Sequence, residues 1–162
     1  MRATDLAHSP DGVGHKAGDP AITRVCTFTL GDSLFGIDAG RVLEIVAVKD
    51  LSRVPGSPRH VRGLMNLRGQ VVTCLDLDEI LERPPSTRRR GFAVVLDDGE
   101  GLTSLEVDRV SDVFDLDPAE VEPVPATLTG AAARHLVGAY KLPGQLLLLL
   151  DVRRLLDDGA AT

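Results

Sequence analysis

Short runs of alternating apolar and polar residues follow one another along most of this chain, separated by glycine, proline or aspartate. Residues 24–30 alternate with a period of two, Gly31-Asp32-Ser33 has turn composition, and the apolar pattern resumes at residues 34–38. This combination predicts a β-hairpin. Residues 92–107 repeat it around an Asp-Asp-Gly-Glu-Gly turn. The pattern therefore predicts a mostly β protein.

Four further segments have less regular patterns. Residues 39–48 fit either a helix or a strand, and the prediction is a strand that runs into a short helical turn. Residues 146–150 are all leucine, which predicts a central strand covered on both faces. A brief helix is expected at residues 77–81 and a terminal helix at residues 152–158.

One segment of the chain occurs twice. Residues 60–81 and residues 135–156 align without a gap and share eight of 22 positions, whereas chance would supply about one or two. The identical positions are mostly glycine and aliphatic residues, such as Gly69 and its counterpart Gly144, which determine backbone shape and a buried face. Two like units of short strands predict a pair of small β-barrels fused side by side, with the polar stretch at 85–91 as their connection.

Composition limits the classes of function. The net charge of −6 argues against nucleic acid as a partner, because phosphate contacts require clustered lysine and arginine. No segment reaches about 18 consecutive apolar residues, so membrane insertion is not expected. Cys26 and Cys74 lie in apolar runs without CxxC spacing and are predicted to be buried reduced thiols, as in a cytosolic protein. The polar residues 1–20 are predicted to be a mobile tail before one folded domain at residues 21–162.

Residues with catalytic potential have simpler structural interpretations. Asp76 and Asp78 have the spacing of a carboxylate pair, but Asp76 recurs as Asp151 at the end of a strand, where capping the following turn explains both. His60 likewise recurs as His135, which favours a role in packing or turn formation. Because the chain also lacks the common catalytic and nucleotide-binding motifs, we predict no catalytic residues, cofactor or metal. The competing hypothesis is a small hydrolase or ligand-binding β-protein that uses Asp76, Asp78 and His60.

The two copies of the repeat differ where a surface would contact a partner. The first copy has Asn66-Leu67-Arg68-Gly69 at a bend where the second has Lys141-Leu142-Pro143-Gly144, and Arg62 corresponds to Val137. An arginine at a tight bend can donate two hydrogen bonds to a carboxylate or to backbone carbonyls of a partner. The alternative for Arg68 is an internal salt bridge, for example with Glu44.

The segment VRGLMNLRGQVVTCLDL at residues 61–77 resembles the signature of the CheW domain of bacterial chemotaxis. RVLEIV at residues 41–46 resembles another element of the first half of that domain, and residues 101–113 and 135–156 resemble its second half. The resemblance covers about residues 24–156. Thr73 departs from the family pattern, which commonly has proline there.

The resemblance implies two fused, five-stranded SH3-like β-barrel subdomains with short helices. It also implies a non-enzymatic adaptor that links the cytoplasmic tips of methyl-accepting chemoreceptors to the regulatory domain of a CheA-type histidine kinase. Such an adaptor is cytoplasmic, is recruited to receptor arrays at the inner face of the membrane, and can join rings in which self-association is an open question. Its nearer alternative is a CheW-like adaptor of a chemosensory kinase outside chemotaxis.

Specific residues can be carried over from the family pattern. The resemblance makes Arg68 and Glu44 the best candidates for partner contact, with Gly63, Asn66 and Gly69 shaping the loop that presents Arg68. Arg62 joins this set because the second copy lacks it.

Overall fold

The computed structural model describes residues 22–84 and 91–160. Within these ranges the chain forms ten strands, three α-helices and two 3-10 turns. The strands are β1 (Arg24–Leu30), β2 (Ser33–Asp38), β3 (Val42–Ala47), β4 (Val61–Leu67), β5 (Gln70–Asp76), β6 (Phe92–Asp97), β7 (Leu102–Val107), β8 (Arg109–Asp115), β9 (Leu136–Leu142) and β10 (Gln145–Leu150). The helices are α1 (Leu77–Ile80), α2 (Gly130–Arg134) and α3 (Val152–Ala160), and the 3-10 turns are Ala39–Arg41 and Pro118–Glu120.

The strands form two five-stranded sheets. Sheet I has the order β8-β1-β2-β10-β9, and sheet II has the order β3-β6-β7-β5-β4. Neighbouring strands are antiparallel except at one position in each sheet, where β2 pairs with β10 and β7 pairs with β5 in parallel. The predicted mostly β fold with two five-stranded units is confirmed.

The sheets do not coincide with the two repeats. Each half of the chain, residues 22–84 and 91–160, contains one copy of the duplicated segment and is called a repeat from here on. The hairpin β1–β2 opens the first repeat but joins strands β8, β9 and β10 of the second, and the hairpin β6–β7 opens the second repeat but joins strands β3, β4 and β5 of the first. The repeats therefore exchange their first hairpins. In each sheet, one of the contacts between strands of different repeats is the parallel pair, β2 with β10 or β7 with β5. Because every sheet contains strands from both repeats, neither repeat can complete its sheet alone.

The described part of the chain has three apolar clusters. Leu147 and Leu149 belong to a cluster made by sheet I alone, and Val72 and Ala93 belong to one made by sheet II alone. The largest cluster joins side chains of both sheets with side chains of α1 and α3. Its fully buried members include Phe28, Ile37, Leu75, Leu96, Leu105 and Leu155. Strands at the centre of each sheet are therefore buried on both faces, because one face fills the sheet's own interior and the other fills the contact between sheets.

Two predictions of local structure need correction. In the segment at 39–48 the helical turn precedes the strand, because the carboxylate of Asp38 accepts a hydrogen bond from Gly40 N at 2.9 Å and caps the 3-10 turn. In the leucine run, Leu147, Leu149 and Leu150 are buried as predicted, but Leu148 is only partly buried and the Leu146 side chain is 40% exposed beside the β9–β10 turn. The predicted helices after β5 and β10 are confirmed.

The two cysteines are buried and not joined in a disulfide, as predicted. Burial raises the pKa of the Cys74 thiol, which also accepts a hydrogen bond from Ser104 Oγ at 3.1 Å. Burial raises the pKa of Cys26 as well. A raised pKa lowers the thiolate fraction, so neither side chain has the character of a reactive nucleophile.

The predicted tail at 1–20 and most of the predicted connection at 85–91 lie outside the described residues. Across residues 22–84 and 91–160, no helix combines the length and the apolar character needed to traverse a bilayer.

Candidate partner-binding surface

The turn between β4 and β5 holds an arginine in the left-handed backbone region. Arg68 has φ 49° and Gly69 has φ 87°, so both central residues of this two-residue loop have positive φ, as a type I′ turn requires. The side chain of Asn66 accepts a hydrogen bond from Gly69 N at 2.9 Å and stabilises the turn. An arginine at positive φ carries about 1–2 kcal/mol of strain that asparagine or glycine would largely avoid.

The equivalent turn of the second repeat has no such strain. Pro143 occupies the position of Arg68, and its ring holds φ near −65°. Gly144 follows with φ 79°, which is the pattern of a type II turn. The two repeats thus use different turn chemistry at matching hairpins, and only the first presents a cation there.

Arg68 forms an ion pair with Glu44 across sheet II. Its Nη2 donates to Oε1 of Glu44, and its side chain remains 69% exposed. Glu44 lies on β3 at one edge of the sheet, whereas Arg68 follows β4 at the other edge, so this contact shows that sheet II curls until its edges approach. The internal salt bridge considered for Arg68 is therefore present. An exposed pair of this kind contributes at most about 1 kcal/mol to folding, which leaves both groups accessible to a competing partner.

Arg62 has an internal partner of a different kind. Its Nε lies 3.3 Å from Oε1 of Glu106, whose side chain is 1% exposed, and its Nη1 lies 3.8 Å from Oδ2 of Asp76. Since a buried carboxylate without a counter-charge is strongly destabilising, Arg62 has a structural role on β4. Among the described residues, the half-exposed guanidinium of Arg62 forms no ion pair with Glu44.

Gly63 lies within β4 and not in the turn that presents Arg68. A Cβ at Gly63 would meet the carbonyl oxygen of Ser52 at 2.7 Å, and its φ is 153°. Ser52 and Leu64 exchange two backbone hydrogen bonds of 2.8 Å at this place. Gly63 therefore allows the preceding segment to pair with the edge of β4, five residues before the turn at Arg68.

An apolar strip on the outer face of sheet II was not identified from the sequence. Leu43 and Ile45 are exposed on β3, and Phe92 is exposed beside them on β6, in register with Ala47. The only sequence signal is that β3 is apolar on both of its faces. At the corner of sheet I that corresponds to Ala47 and Phe92, an ion pair of 3.1 Å joins Arg24 to Asp115. At this corner, sheet II therefore has an apolar pair of residues where sheet I has a charged pair.

The residues of the competing enzyme hypothesis all have structural partners. Oδ1 of Asp76 accepts from Asp78 N at 2.9 Å and caps α1, and Asp151 accepts from Arg154 N at 3.1 Å and caps α3, as predicted. His60 Nε2 donates to the carbonyl oxygen of Gly159 at 3.0 Å. No group of three or more potential metal-ligating side chains occurs in the part of the chain that the structure describes.

Removing the cap at Asp76 is expected to destabilise the fold. Asp76→Ala should lower the free energy of unfolding by about 1 kcal/mol, because the first backbone N–H groups of α1 lose their acceptor. Urea denaturation measures the change, and Asp151→Ala is the matched variant that should cost about the same. An Asp76→Ala protein with wild-type stability that has lost a measurable hydrolytic or ligand-binding activity would instead support the enzyme hypothesis.

Comparison with known proteins places this geometry in a family. The family model described as CheW-like domain matches residues 24–160. The chain belongs to the CheW family. It is 31% identical over 146 residues to the chemotaxis protein CheW of Klebsiella aerogenes, with 90% of this chain and 88% of that protein covered. It is also 30% identical over 136 residues to the protein FrzA of Myxococcus xanthus, with 80% and 82% covered.

A solved structure agrees on the fold. The crystal structure of the scaffolding protein TtCheW from Thermoanaerobacter tengcongensis superposes with a TM-score of 0.71 at 23% identity, and the match covers 84% of this chain and 88% of that one. In this CheW-family chain, Arg68 and Glu44 thus form one ion pair where the two edge strands of sheet II, β3 and β4, approach each other.

Proposed function

We propose that this chain is a non-enzymatic adaptor that couples chemoreceptors to a CheA-type histidine kinase in bacterial chemotaxis. Its partners are the kinase's regulatory domain and the cytoplasmic tips of methyl-accepting chemoreceptors, and it works in the cytoplasm at receptor arrays beneath the membrane. Ring formation with further copies belongs to the same proposal. The observation that carries it is the asymmetry of the CheW-like fold, since only sheet II combines an exposed strained arginine with an apolar strip.

The chemistry of this surface suits a protein partner. Leu43, Ile45 and Phe92 offer apolar area that a partner can remove from water, and the accessible Arg68–Glu44 pair offers directional hydrogen bonds. A partner carboxylate that reaches Arg68 has to compete with Glu44, so electrostatics alone favours no partner strongly. We therefore assign affinity mainly to the apolar strip, and specificity to the ion pair.

Coupling follows from simultaneous binding. An adaptor with two surfaces transmits a signal when the free energy of binding one partner depends on the conformation of the other. A rigid β framework favours such transmission because it holds both partners in one geometry. Residue-level chemistry would not be required, which agrees with the structural roles of Asp76 and His60.

Calorimetric titration tests this function. The purified full chain is titrated with the regulatory domain of the CheA-type kinase encoded in the same genome, then with a soluble fragment of a chemoreceptor tip, and finally with both. Saturable binding of each partner and a complex of all three are expected. Absence of binding to both partners would refute the proposal.

A matched pair of variants tests the apolar strip. Ile45→Ser is expected to weaken binding of the kinase's regulatory domain by about three- to sixfold, because burying a whole isoleucine side chain contributes about 1.5–3 kcal/mol and 37% of Ile45 is still exposed for a partner to cover. Val113→Ser, at the corresponding position of sheet I, should have little effect although Val113 is 53% exposed against 37% for Ile45. Equal losses in the two variants would contradict a role specific to sheet II.

The same surface also fits an adaptor of a chemosensory kinase outside chemotaxis. The similarity to FrzA favours this second candidate, because that relative is not named for chemotaxis. Parallel titrations with the regulatory domains of each CheA-type kinase in the genome distinguish the two. Preference for a kinase that does not act in chemotaxis would support the second candidate.

A further inference from the structure

Arg83 joins the two sheets through hydrogen bonds. It follows α1, which continues from β5 of sheet II, and it reaches the β1–β2 hairpin, which belongs to sheet I. Its Nη2 donates to the carbonyl oxygen of Leu30 at 3.1 Å, and its Nη1 donates to Ser33 Oγ at 3.1 Å. One guanidinium group therefore holds both ends of a turn that the exchange of hairpins has placed in the opposite sheet.

The same guanidinium is fixed from its other sides. Its Nε donates to Oδ1 of Asp78 at 3.3 Å, and that carboxylate is almost fully buried. Its Cζ lies 5.4 Å from the centre of the Phe35 ring on β2. Hydrogen bonds between a planar guanidinium and charged or carbonyl acceptors are strong and directional, particularly where water has limited access. Arg83 is thus oriented by α1 and by sheet I at once.

The hairpin turn is also held where the chain crosses between the sheets. Asp108 is the residue between β7 of sheet II and β8 of sheet I. Its carboxylate accepts from Gly31 N at 2.6 Å, and its N–H donates to the carbonyl oxygen of Thr29 at 3.0 Å. Arg83 and Asp108 therefore both form hydrogen bonds with the β1–β2 turn.

Directional contacts of this kind determine an angle that apolar packing alone does not. The large cluster between the sheets contributes most of the free energy of their association, but the hydrophobic effect has little directional preference. His60, which directly precedes β4 of sheet II, donates to the carbonyl oxygen of Gly159 in α3 and so connects sheet II to the C-terminal helix. Loss of the Arg83 contacts would therefore leave the sheets associated and allow them to rotate about the remaining contacts.

We propose that Arg83 is a positioning residue that sets the angle between sheet I and sheet II, and that this angle lets the adaptor hold two partners at once. The second half of this inference rests on the proposed function, whereas the first half does not. The second repeat supports a special role for this position. Its counterpart there, Asp158, accepts a hydrogen bond from His135 Nε2 at 2.5 Å, and among the described residues it has no hydrogen bond to sheet II.

Distance measurements between spin labels test the angle. Labels are attached at Gln70→Cys and Gln145→Cys, which are exposed and follow equivalent turns in different sheets, while Cys26 and Cys74 are buried and do not compete. Arg83→Lys retains a charge for Asp78 but cannot reach Leu30 and Ser33 together. It is expected to broaden the distance distribution about twofold relative to the parent, which signals a larger range of sheet orientations.

Two further variants complete the design. Arg83→Met also removes the charge and should broaden the distribution at least as much. Arg59→Met is the matched control, because Arg59 is exposed and, among the described residues, forms an ion pair only with Glu79 of α1. Circular dichroism and thermal unfolding verify that each variant is folded. A folded Arg83→Lys protein with the parent distribution would overturn the assignment of the angle to Arg83.

Binding measurements on the unlabelled chain test the consequence. Arg83→Lys should bind the kinase domain and the receptor fragment separately with wild-type affinity, yet form the three-component complex about tenfold less well. The reason is that the two partners can contact each other, and so bind cooperatively, only when the adaptor holds them at the correct angle. Unchanged formation of that complex would overturn the link between angle and coupling. If the wild-type chain binds neither partner, the proposed function fails, and the spin-label result still decides the role of Arg83.

Discussion

Arg68→Glu is expected to weaken binding of the kinase's regulatory domain by about 100-fold, or about 2.7 kcal/mol. The substitution removes the exposed guanidinium and places a second carboxylate beside Glu44 on the surface that a partner would approach. A partner group that accepts hydrogen bonds from Arg68 would lose them and would meet two carboxylates in their place. The fold should persist, since the lost exposed ion pair contributes at most about 1 kcal/mol. Calorimetric titration at fixed ionic strength measures the loss.

Two companion variants separate charge from folding. Arg109→Glu makes the same change in charge at an exposed position on the edge of sheet I and should leave kinase affinity within about twofold. Arg68→Asn removes the cation but suits positive φ, so it should weaken binding while keeping or raising stability by about 1 kcal/mol. Wild-type affinity in the Arg68→Glu protein would contradict the assignment of this surface to the kinase.

Gly63→Ala is expected to destabilise the protein by about 3 kcal/mol, the largest effect on folding that we predict. The added Cβ would lie 2.7 Å from the backbone oxygen of Ser52, and backbone cannot move aside as a flexible side chain can. The φ of 153° adds strain for any residue with a side chain. Urea denaturation followed by circular dichroism gives the free energy of unfolding.

The control for Gly63→Ala is Gly101→Ala, at a glycine with no positive φ and no atom within 4 Å of the added Cβ. That variant should change the free energy of unfolding by less than about 0.5 kcal/mol. The repeat offers a second check, because a Cβ at Gly138 would lie 2.6 Å from the backbone oxygen of Glu122. A Gly63→Ala protein as stable as Gly101→Ala would show that the Ser52 segment is not held against β4.

Part of the candidate site was predictable because it is local. Asn66 and Gly69 surround Arg68 within four residues, so the turn and its arginine follow from neighbouring residues. The apolar strip was not predictable in this way. Ile45 alternates with Glu44 and Val46, and a strand that is apolar on both faces usually has both faces covered. Only the position of β3 at the edge of sheet II leaves Ile45 exposed.

The order of residues by itself determined the duplicated unit, the hairpins and the helix caps, because each depends on groups that are close along the chain. The caps at Asp76 and Asp151, for example, act on N–H groups two or three residues away. Only the tertiary structure decided that the repeats exchange hairpins, that Arg68 meets Glu44 and that Arg83 reaches Leu30. These contacts join residues 24 and 53 positions apart. A hairpin can satisfy its own pattern equally well in either sheet, and its location depends on how the apolar faces of the whole chain pack together.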